Sequence, residues 1–160
     1  MNKHLMISLA VALTAITTQA QKANFSGTWS EPELEMISGK QYSNAVPKEI
    51  TVTQTKDSIK IERTEIDDSK ITETIALNGK TTSRMGRTSK RTIRTTATLT
   101  NNGNTLTLVT IFSYADKPDE AEYKNTEVWE LSADGMLIIE KTSDATVTDD
   151  WTIKAIYNKQ

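Results

Sequence analysis

The residues best suited to hold a small molecule are two arginines, one glutamate and three aromatic side chains. The arginines lie in segments where polar and apolar residues alternate. Arg63 and Arg91 stay charged, and each can grip a carboxylate through two hydrogen bonds. We expect them to meet the polar or anionic head of a small amphipathic molecule, over a floor of apolar side chains. The candidate ligand-binding residues are Arg63, Glu73, Arg91, Phe112, Tyr114 and Tyr42.

The near absence of histidine and cysteine narrows the chemistry of this chain. The 160 residues include no cysteine, and the one histidine is His4. Residues 5–160 therefore cannot form disulfides, supply a thiolate nucleophile, carry out Ser-His-Asp or Cys-His catalysis, or bind zinc through His or Cys. An enzyme would have to use carboxylates, Lys, Tyr or Ser, with Glu73 as the one candidate. We therefore predict a protein that is not an enzyme, with no catalytic residues, no metal site and no cofactor.

The first 20 residues have the features of a cleaved signal peptide. Lys3 supplies a positive charge, residues 5–16 are apolar but too short to span a bilayer, and Ala20 suits cleavage before Gln21. No cysteine follows the apolar stretch, so a lipoprotein signal is not indicated. We predict a secreted or periplasmic protein with one mature domain, residues 21–160, and no integral membrane segment in it. A permanent N-terminal anchor is the alternative.

The charge of the mature chain is mild. Without Lys3, 18 of the 19 basic residues remain against 21 acidic ones, a net charge of −3. This balance gives no reason to expect nucleic acid or an anionic membrane as a partner, and protein partners are not indicated. One basic run is interpreted as a solvated loop, with a docking patch for an anionic partner as the alternative. It comprises Arg84, Arg87, Lys90, Arg91 and Arg94.

From Ser26 onwards the sequence indicates short antiparallel strands. Thr is abundant, Ile and Val recur at a spacing of two, and turn residues interrupt the pattern regularly, as in sandwiches and barrels. The segment 32–47 breaks the alternation and is predicted to be a loop or one short helical turn. The predicted strands lie near 26–31, 48–55, 58–66, 70–77, 80–84, 91–101, 104–114, 122–132, 136–143 and 149–157.

Turn chemistry sets the registers of four hairpins. The predicted loops are 56–57, 67–69, 102–103 and 133–135, and Asn102-Gly103 is a strong type I′ signal. In each hairpin the apolar faces of the two strands coincide, which supports the register. The predicted facing pairs include Val52 with Ile61, Ile61 with Ile75, Ile59 with Leu77, Arg63 with Glu73, Leu99 with Leu106, Ala97 with Leu108, Ile93 with Phe112, Arg91 with Tyr114, Leu131 with Leu137 and Trp129 with Ile139.

One face of this predicted meander is continuously apolar. A meander of this length closes most easily into a barrel, which removes its sheet edges. We therefore predict an all-β fold, an antiparallel up-and-down meander barrel of 8–10 strands. The inward residues are Ile50, Val52, Ile59, Ile61, Ile75, Leu77, Ile93, Ala97, Leu99, Leu106, Leu108, Phe112, Trp129, Leu131, Leu137, Ile139, Trp151, Ile153 and Tyr157.

The two ends of such a barrel differ. The tight turns fall at one end, together with Trp29, whereas the longer connections surround the other end. Most of the candidate binding residues, including Arg63 and Phe112, lie on the inward face near the looser end. Long loops around a polar-tipped apolar mouth are what a barrel needs to admit a ligand. This placement requires 80–84 to be a strand, because otherwise every later strand reverses direction.

Three short motifs resemble those of a known family. Phe25-Ser26-Gly27-Thr28-Trp29 resembles the Gly-x-Trp start of lipocalin-like (calycin) barrels, in particular the small secreted lipocalin-like domains of bacteria. Ile50-Thr51-Val52-Thr53-Gln54 and Leu77-Asn78-Gly79-Lys80 are similar to two later motifs of those domains. The resemblance implies an up-and-down β-barrel that is closed at the Trp and has an open end where a small ligand sits.

The resemblance also concerns the surroundings of Trp29. Lipocalins proper place an arginine from late in the chain over this Trp, but no arginine follows Arg94 here. The resemblance therefore gives this position to Lys154 or Lys159.

Two functions of different classes fit these observations. The first is binding of a small hydrophobic or amphipathic ligand in the open end of a secreted β-barrel. The second is a non-catalytic structural or interaction barrel with a filled core, acting as an envelope accessory or a partner-binding module. In the second case Arg63 and Glu73 form only a cross-strand ion pair. An eight-stranded barrel is just wide enough for side chains to fill it, so interior volume distinguishes the two functions.

Overall fold

The computed structural model describes residues 22–40, 42, 44–146 and 148–160, so the predicted signal peptide lies outside it. Within these ranges no helix has the length and apolar character needed to cross a membrane. The described residues form ten β-strands and one turn of 3-10 helix at Asn101–Gly103. The strands are β1 (Gly27–Ser38), β2 (Glu49–Gln54), β3 (Ser58–Thr64), β4 (Lys70–Ala76), β5 (Thr82–Met85), β6 (Arg91–Thr100), β7 (Thr105–Tyr114), β8 (Ala121–Leu131), β9 (Leu137–Ala145) and β10 (Trp151–Lys159).

All ten strands belong to one antiparallel sheet that curls into a nearly closed barrel. Their order is β4-β3-β2-β1-β10-β9-β8-β7-β6-β5, which is an up-and-down meander closed by pairing of β1 with β10. β4 and β5 are the ends of this order, and an ion pair between Glu73 and Arg84 joins them. An isolated bridge also links Asn78, just after β4, to Thr98 of β6. The predicted all-β barrel is confirmed, and β5 is the strand that the placement of the open end required.

Three of the four predicted hairpin registers are confirmed. Asn102 and Gly103 have φ values of 56° and 89°, and the N–H of Asn104 donates to the carbonyl of Asn101 at 3.1 Å, as in a type I′ turn. The facing pairs of this hairpin follow the prediction from Leu99–Leu106 to Arg91–Tyr114. The registers set by the turns at 56–57 and 133–135 are also as predicted.

The predicted register of the β3–β4 hairpin is wrong by two residues. Arg63 faces Ile71, and Glu73 faces Ile61. The loop closes earlier than 67–69 because the N–H of Glu65 donates to the carbonyl of Ser69 at 2.9 Å. A shift of two residues keeps every side chain on its face of the sheet. Arg63 and Glu73 therefore still point inward, as neighbours on a diagonal.

The prediction of a loop or helical turn over 32–47 is wrong for its first part. β1 continues to Ser38, pairing with β2 over Gly27–Ser30 and with β10 from Trp29 to Ser38. Its register with β10 shifts between Ser30 and Glu33, where Glu31 has a φ of 53°. Pro32 lies in this irregular stretch, where a missing N–H costs no ladder bond. β1 therefore continues through a segment whose sequence lacks the apolar–polar alternation of a strand.

The half of the barrel at the tight-turn end is packed with apolar side chains. Trp29 is 1% exposed, its Nε1 donates to the carbonyl of Phe25 at 2.9 Å, and the Nζ of Lys159 lies 5.3 Å from its ring centre. Phe25 meets Trp129 edge to face, with the ring centres 6.3 Å apart. Trp29 thus closes the tight-turn end, with Lys159 in the position that the resemblance gave to Lys154 or Lys159.

Candidate ligand-binding site

The inward faces of several strands change character halfway along the barrel. On β8 the inward residues run from Leu131 and Trp129 at the closed end to Glu127, Asn125 and Tyr123 towards the open end. β3 changes likewise from isoleucines to arginine, and β9 from isoleucine to lysine. Because these strands are joined in register, the charged side chains meet at similar depth. We call this group the ionic layer, and its members are Arg63, Glu73, Arg84, Glu127 and Lys141.

Each carboxylate of the ionic layer lies between two cations. Glu127 is 2.9 Å from a terminal nitrogen of Arg63 and 3.8 Å from the Nζ of Lys141, and it also accepts a hydrogen bond from Trp129. Glu73 is 3.3 Å from the other terminal nitrogen of Arg63 and pairs on its far side with Arg84. The side chains of Arg63, Glu73 and Glu127 are at most 13% exposed. The ionic layer is thus a largely buried network in which each carboxylate is paired with two cations.

The pKa values show the balance between burial and pairing. Burial raises the pKa of Glu127, but Arg63 and Lys141 outweigh it and lower that pKa to about 2. Burial also opposes the charge of Arg63, yet Glu127 and Glu73 raise its pKa above the ordinary value. For Lys141 the effect of burial, which lowers the pKa, is larger than the attraction of Glu127, which raises it, so its pKa is lowered. Glu127 and Arg63 are therefore charged at neutral pH.

A cavity of about 460 Å³ opens above the ionic layer, at the end of the barrel with the longer loops. We call it the first chamber. Its wall combines members of the ionic layer with apolar side chains, among them Ile71, Ile93 and Phe112. A second chamber of about 320 Å³ adjoins it and shares Asn125 and Lys141 with it. The barrel is thus filled at one end and hollow at the other.

A stack of aromatic and charged side chains stands at the mouth. Phe112 and Tyr123 face one another on β7 and β8, with ring centres 4.1 Å apart and planes inclined by 14°. The guanidinium of Arg91 lies 5.8 Å from the ring centres of both Tyr123 and Tyr114. Glu122 accepts two hydrogen bonds from Arg91, at 2.7 and 2.6 Å, which raise the pKa of Arg91 and lower that of Glu122.

The predicted site residues fall into three groups. Arg63, Glu73, Arg91 and Phe112 all line the first chamber. Tyr42 lines the second chamber, where its ring lies 6.0 Å from that of Trp151. Tyr114 is 48% exposed and packs against Arg91, and it lines neither chamber. Arg63 and Arg91 are each already paired with carboxylates of the protein, so neither offers an unpaired guanidinium to an anionic ligand.

The sequence interpretation missed several residues that line the chambers. Glu127, Asn125 and Tyr123 continue the alternation that placed Trp129 inward, and Lys141 continues that of Ile139. The alternation was therefore the signal that could have found them. The list of inward residues left them out because it contained mainly apolar side chains.

Comparisons with known proteins bear on the fold. No protein-family model matches the chain, and no curated protein sequence matches it. Among solved structures, the chain is similar to the crystal structure of the zebrafish ileal bile acid-binding protein complexed with cholic acid. The TM-score is 0.52 and the sequence identity 14%, over 85% of this chain and 98% of that chain. At this identity the likeness establishes the β-barrel fold alone.

Proposed function

We propose that the protein binds a small amphipathic molecule in the chambers at the open end of its barrel. The observation that carries this proposal is the cavity of about 460 Å³ above the ionic layer, in a barrel whose other half is tightly packed. Ligand sites are typically concave, largely preformed and lined by apolar side chains with a few fixed polar groups. The first chamber is concave and has apolar side chains in its wall, among them Ile71, Ile93 and Phe112, but charged and polar side chains outnumber them.

The charges around the chambers favour a ligand with an anionic group. The two chambers are lined by five basic side chains and four carboxylates, which leaves one excess positive charge. Arg63 and Arg91 are engaged by Glu73, Glu127 and Glu122, so they hold the wall in place. The basic side chains are Arg63, Arg84, Arg87, Arg91 and Lys141, and the carboxylates are Glu65, Glu73, Glu122 and Glu127.

The anionic group is best placed at the rim of the first chamber. Arg84 and Arg87 line this chamber, and their side chains are 30% and 66% exposed. Arg84 holds Glu73 through its Nε and Arg87 holds Asp67 through its Nη1, whereas the Nη2 of each has no hydrogen-bond partner among the described residues. An incoming carboxylate can bind there without displacing Glu73 or Asp67, and arginine binds carboxylates with favourable geometry. The apolar body of the ligand then lies against Ile71, Ile93 and Phe112. This arrangement moves the proposed anion contacts from Arg63 and Arg91 to the rim.

Two further parts of the proposal rest on the sequence. Residues 5–160 contain neither His nor Cys, which supports a binding protein over an enzyme. The signal-peptide features of residues 1–20 support a secreted or periplasmic location.

The zebrafish protein of similar fold was crystallised with cholic acid, which supports an amphipathic ligand for a barrel of this shape.

Titration with a fluorescent fatty-acid probe tests the proposal. We expect saturable binding by the purified protein, and a loss of at least about tenfold in affinity in Thr110→Trp, because the indole fills the first chamber. Thr107→Trp is the matched control, since Thr107 lies on the outer face of the same strand, and it should bind as the wild type does. If no apolar or amphipathic probe binds, the structural or interaction barrel replaces this proposal.

A further inference from the structure

One level above the ionic layer, four neighbouring strands carry uncharged polar side chains on their inward faces. Thr95 of β6 faces Thr110 of β7, Thr110 faces Asn125 of β8, and Asn125 faces Ser143 of β9. We call this set the neutral polar row. Because paired residues in adjacent strands lie side by side, the four side chains form a continuous band of hydroxyl and amide groups across the barrel wall.

The levels above and below the neutral polar row have a different chemistry. The level below includes Leu108, Glu127 and Lys141, and the level above includes Phe112 and Tyr123. A ligand that enters between the aromatic pair and the ionic layer therefore lies against hydroxyl and amide groups. Thr110 lines the first chamber, Ser143 the second, and Asn125 both. The neutral polar row thus runs along the junction of the two chambers.

The hydrogen-bonding capacity of this row is poorly used within the protein. The hydroxyl oxygens of Thr95 and Thr110 are 3.4 Å apart, a long hydrogen bond. The buried Oδ1 of Asn125 has no hydrogen-bond partner among the described residues. A buried polar atom without a partner lowers stability. Its position in the wall of two chambers points to a partner that comes from outside the chain.

We propose that the ligand carries hydroxyl groups along its body and that the neutral polar row binds them. This inference rests on the proposed function and specifies the class of ligand. A plain alkyl chain in the same place would leave the Oδ1 of Asn125 without a partner and the hydroxyl of Thr110 with only its long hydrogen bond to Thr95. A cavity built to hydrogen-bond a hydroxyl discriminates strongly against the analogue that lacks it.

A pair of matched probes, cholate and 5β-cholanate, tests the class of ligand. They share the carboxylate and the ring skeleton and differ in their hydroxyl groups. A purely apolar cavity prefers cholanate, because the affinity then follows the apolar area buried. The proposed ligand class instead predicts that the wild-type protein binds cholate at least about tenfold more tightly than cholanate, as expected for a few net hydrogen bonds.

Two variants assign this preference to the neutral polar row. Asn125→Leu should lower the affinity for cholate about tenfold and leave that for cholanate unchanged or higher. Its melting temperature should not fall, because the substitution removes an unpaired buried polar atom. Thr110→Val should act in the same direction with little change in volume, and Thr107→Val is its control on the outer face. If Asn125→Leu fails to fold, the affinities of Thr110→Val for cholate and cholanate provide the test.

The outcomes separate this inference from the proposed function. If the protein binds the fatty-acid probe but shows no preference for cholate over cholanate, the inference is overturned and the proposed function stands. The same holds if the preference survives unchanged in Asn125→Leu and Thr110→Val. If neither the steroids nor the fatty-acid probe bind, both fail.

Discussion

Arg63 and Glu127 form an ion pair of 2.9 Å between β3 and β8, two strands that are not neighbours in the sheet. The pair therefore crosses the interior of the barrel. On one side of it lie the packed apolar side chains around Trp29, and on the other side lie the two chambers. The ion pair forms part of the floor of the proposed site.

Removing the charge of Glu127 should destabilise the protein. In Glu127→Gln, Arg63 loses one of two carboxylates and Lys141 loses its nearest anion, and all three side chains are at most 14% exposed. Breaking a buried ion pair from one side typically costs about 3 kcal/mol or more. Urea unfolding at pH 7 measures this. The exposed, outward-facing Glu140 provides the control Glu140→Gln, and an equal effect of both variants would contradict the role of the ionic layer.

The same carboxylate predicts a pH dependence. The pKa of Glu127 is about 2 in the folded protein, against 4.5 for an ordinary glutamate. A lowered folded-state pKa means that the contribution to stability is complete above pH 4.5 and is lost as the pH falls towards 2. From the difference in pKa the contribution is about 3 kcal/mol. The gap in unfolding free energy between wild type and Glu127→Gln should therefore close between pH 4.5 and 2, and a gap that stays constant would be inconsistent with this.

Trp29 should matter for stability and not for binding. It is fully enclosed at the end of the barrel opposite the chambers. Trp29→Ala should lower the free energy of unfolding by about 3–5 kcal/mol, the usual cost of emptying a large aromatic side chain from a core. The folded fraction should still bind the fatty-acid probe with wild-type affinity. Trp29→Phe, a milder change, allows the same comparison if the alanine variant is too unstable, and weakened binding in Trp29→Phe would argue against the separation of the two ends.

The seam between β4 and β5 should open when Arg84 is neutralised. Glu73 and Arg84 bridge two strands that share no ladder of backbone hydrogen bonds. In Arg84→Met, amide hydrogen exchange should accelerate in β5, while global stability changes by less than about 1 kcal/mol because Arg84 is partly exposed. Arg87→Met is the control, since Arg87 pairs with Asp67 in the neighbouring loop. Unchanged exchange in β5 would show that the seam is held by other contacts.

Local turn chemistry explains why most of the barrel could be predicted. The type I′ turn at Asn102-Gly103 sets a register that holds over all of β6 and β7. The loop after Thr64 was harder, because Asp67 and Ser69 form their own hydrogen bonds and draw the closure towards Glu65. Since the error was an even number of residues, the inward placement of Arg63 survived it.

The ionic layer could not be predicted in the same way. Arg63 and Glu127 are 64 residues apart and come together only because the sheet closes on itself. Alternation places Glu127 on the inward face, but no local pattern shows which side chain from across the barrel it meets. The two arginines chosen for an anion grip therefore turned out to hold carboxylates of the protein. The chambers themselves follow from the change from apolar to polar inward residues at mid-barrel.

Native mass spectrometry of the purified protein, with and without an added amphipathic carboxylate, tests the central claim most directly. We predict a complex with one small molecule per chain in the wild type and in Thr107→Trp, and its loss in Thr110→Trp, where the first chamber is filled. A wild-type protein that remains ligand-free at every concentration of the added amphiphile, or a Thr110→Trp variant that binds it equally well, would contradict the assignment of the chambers as a binding site.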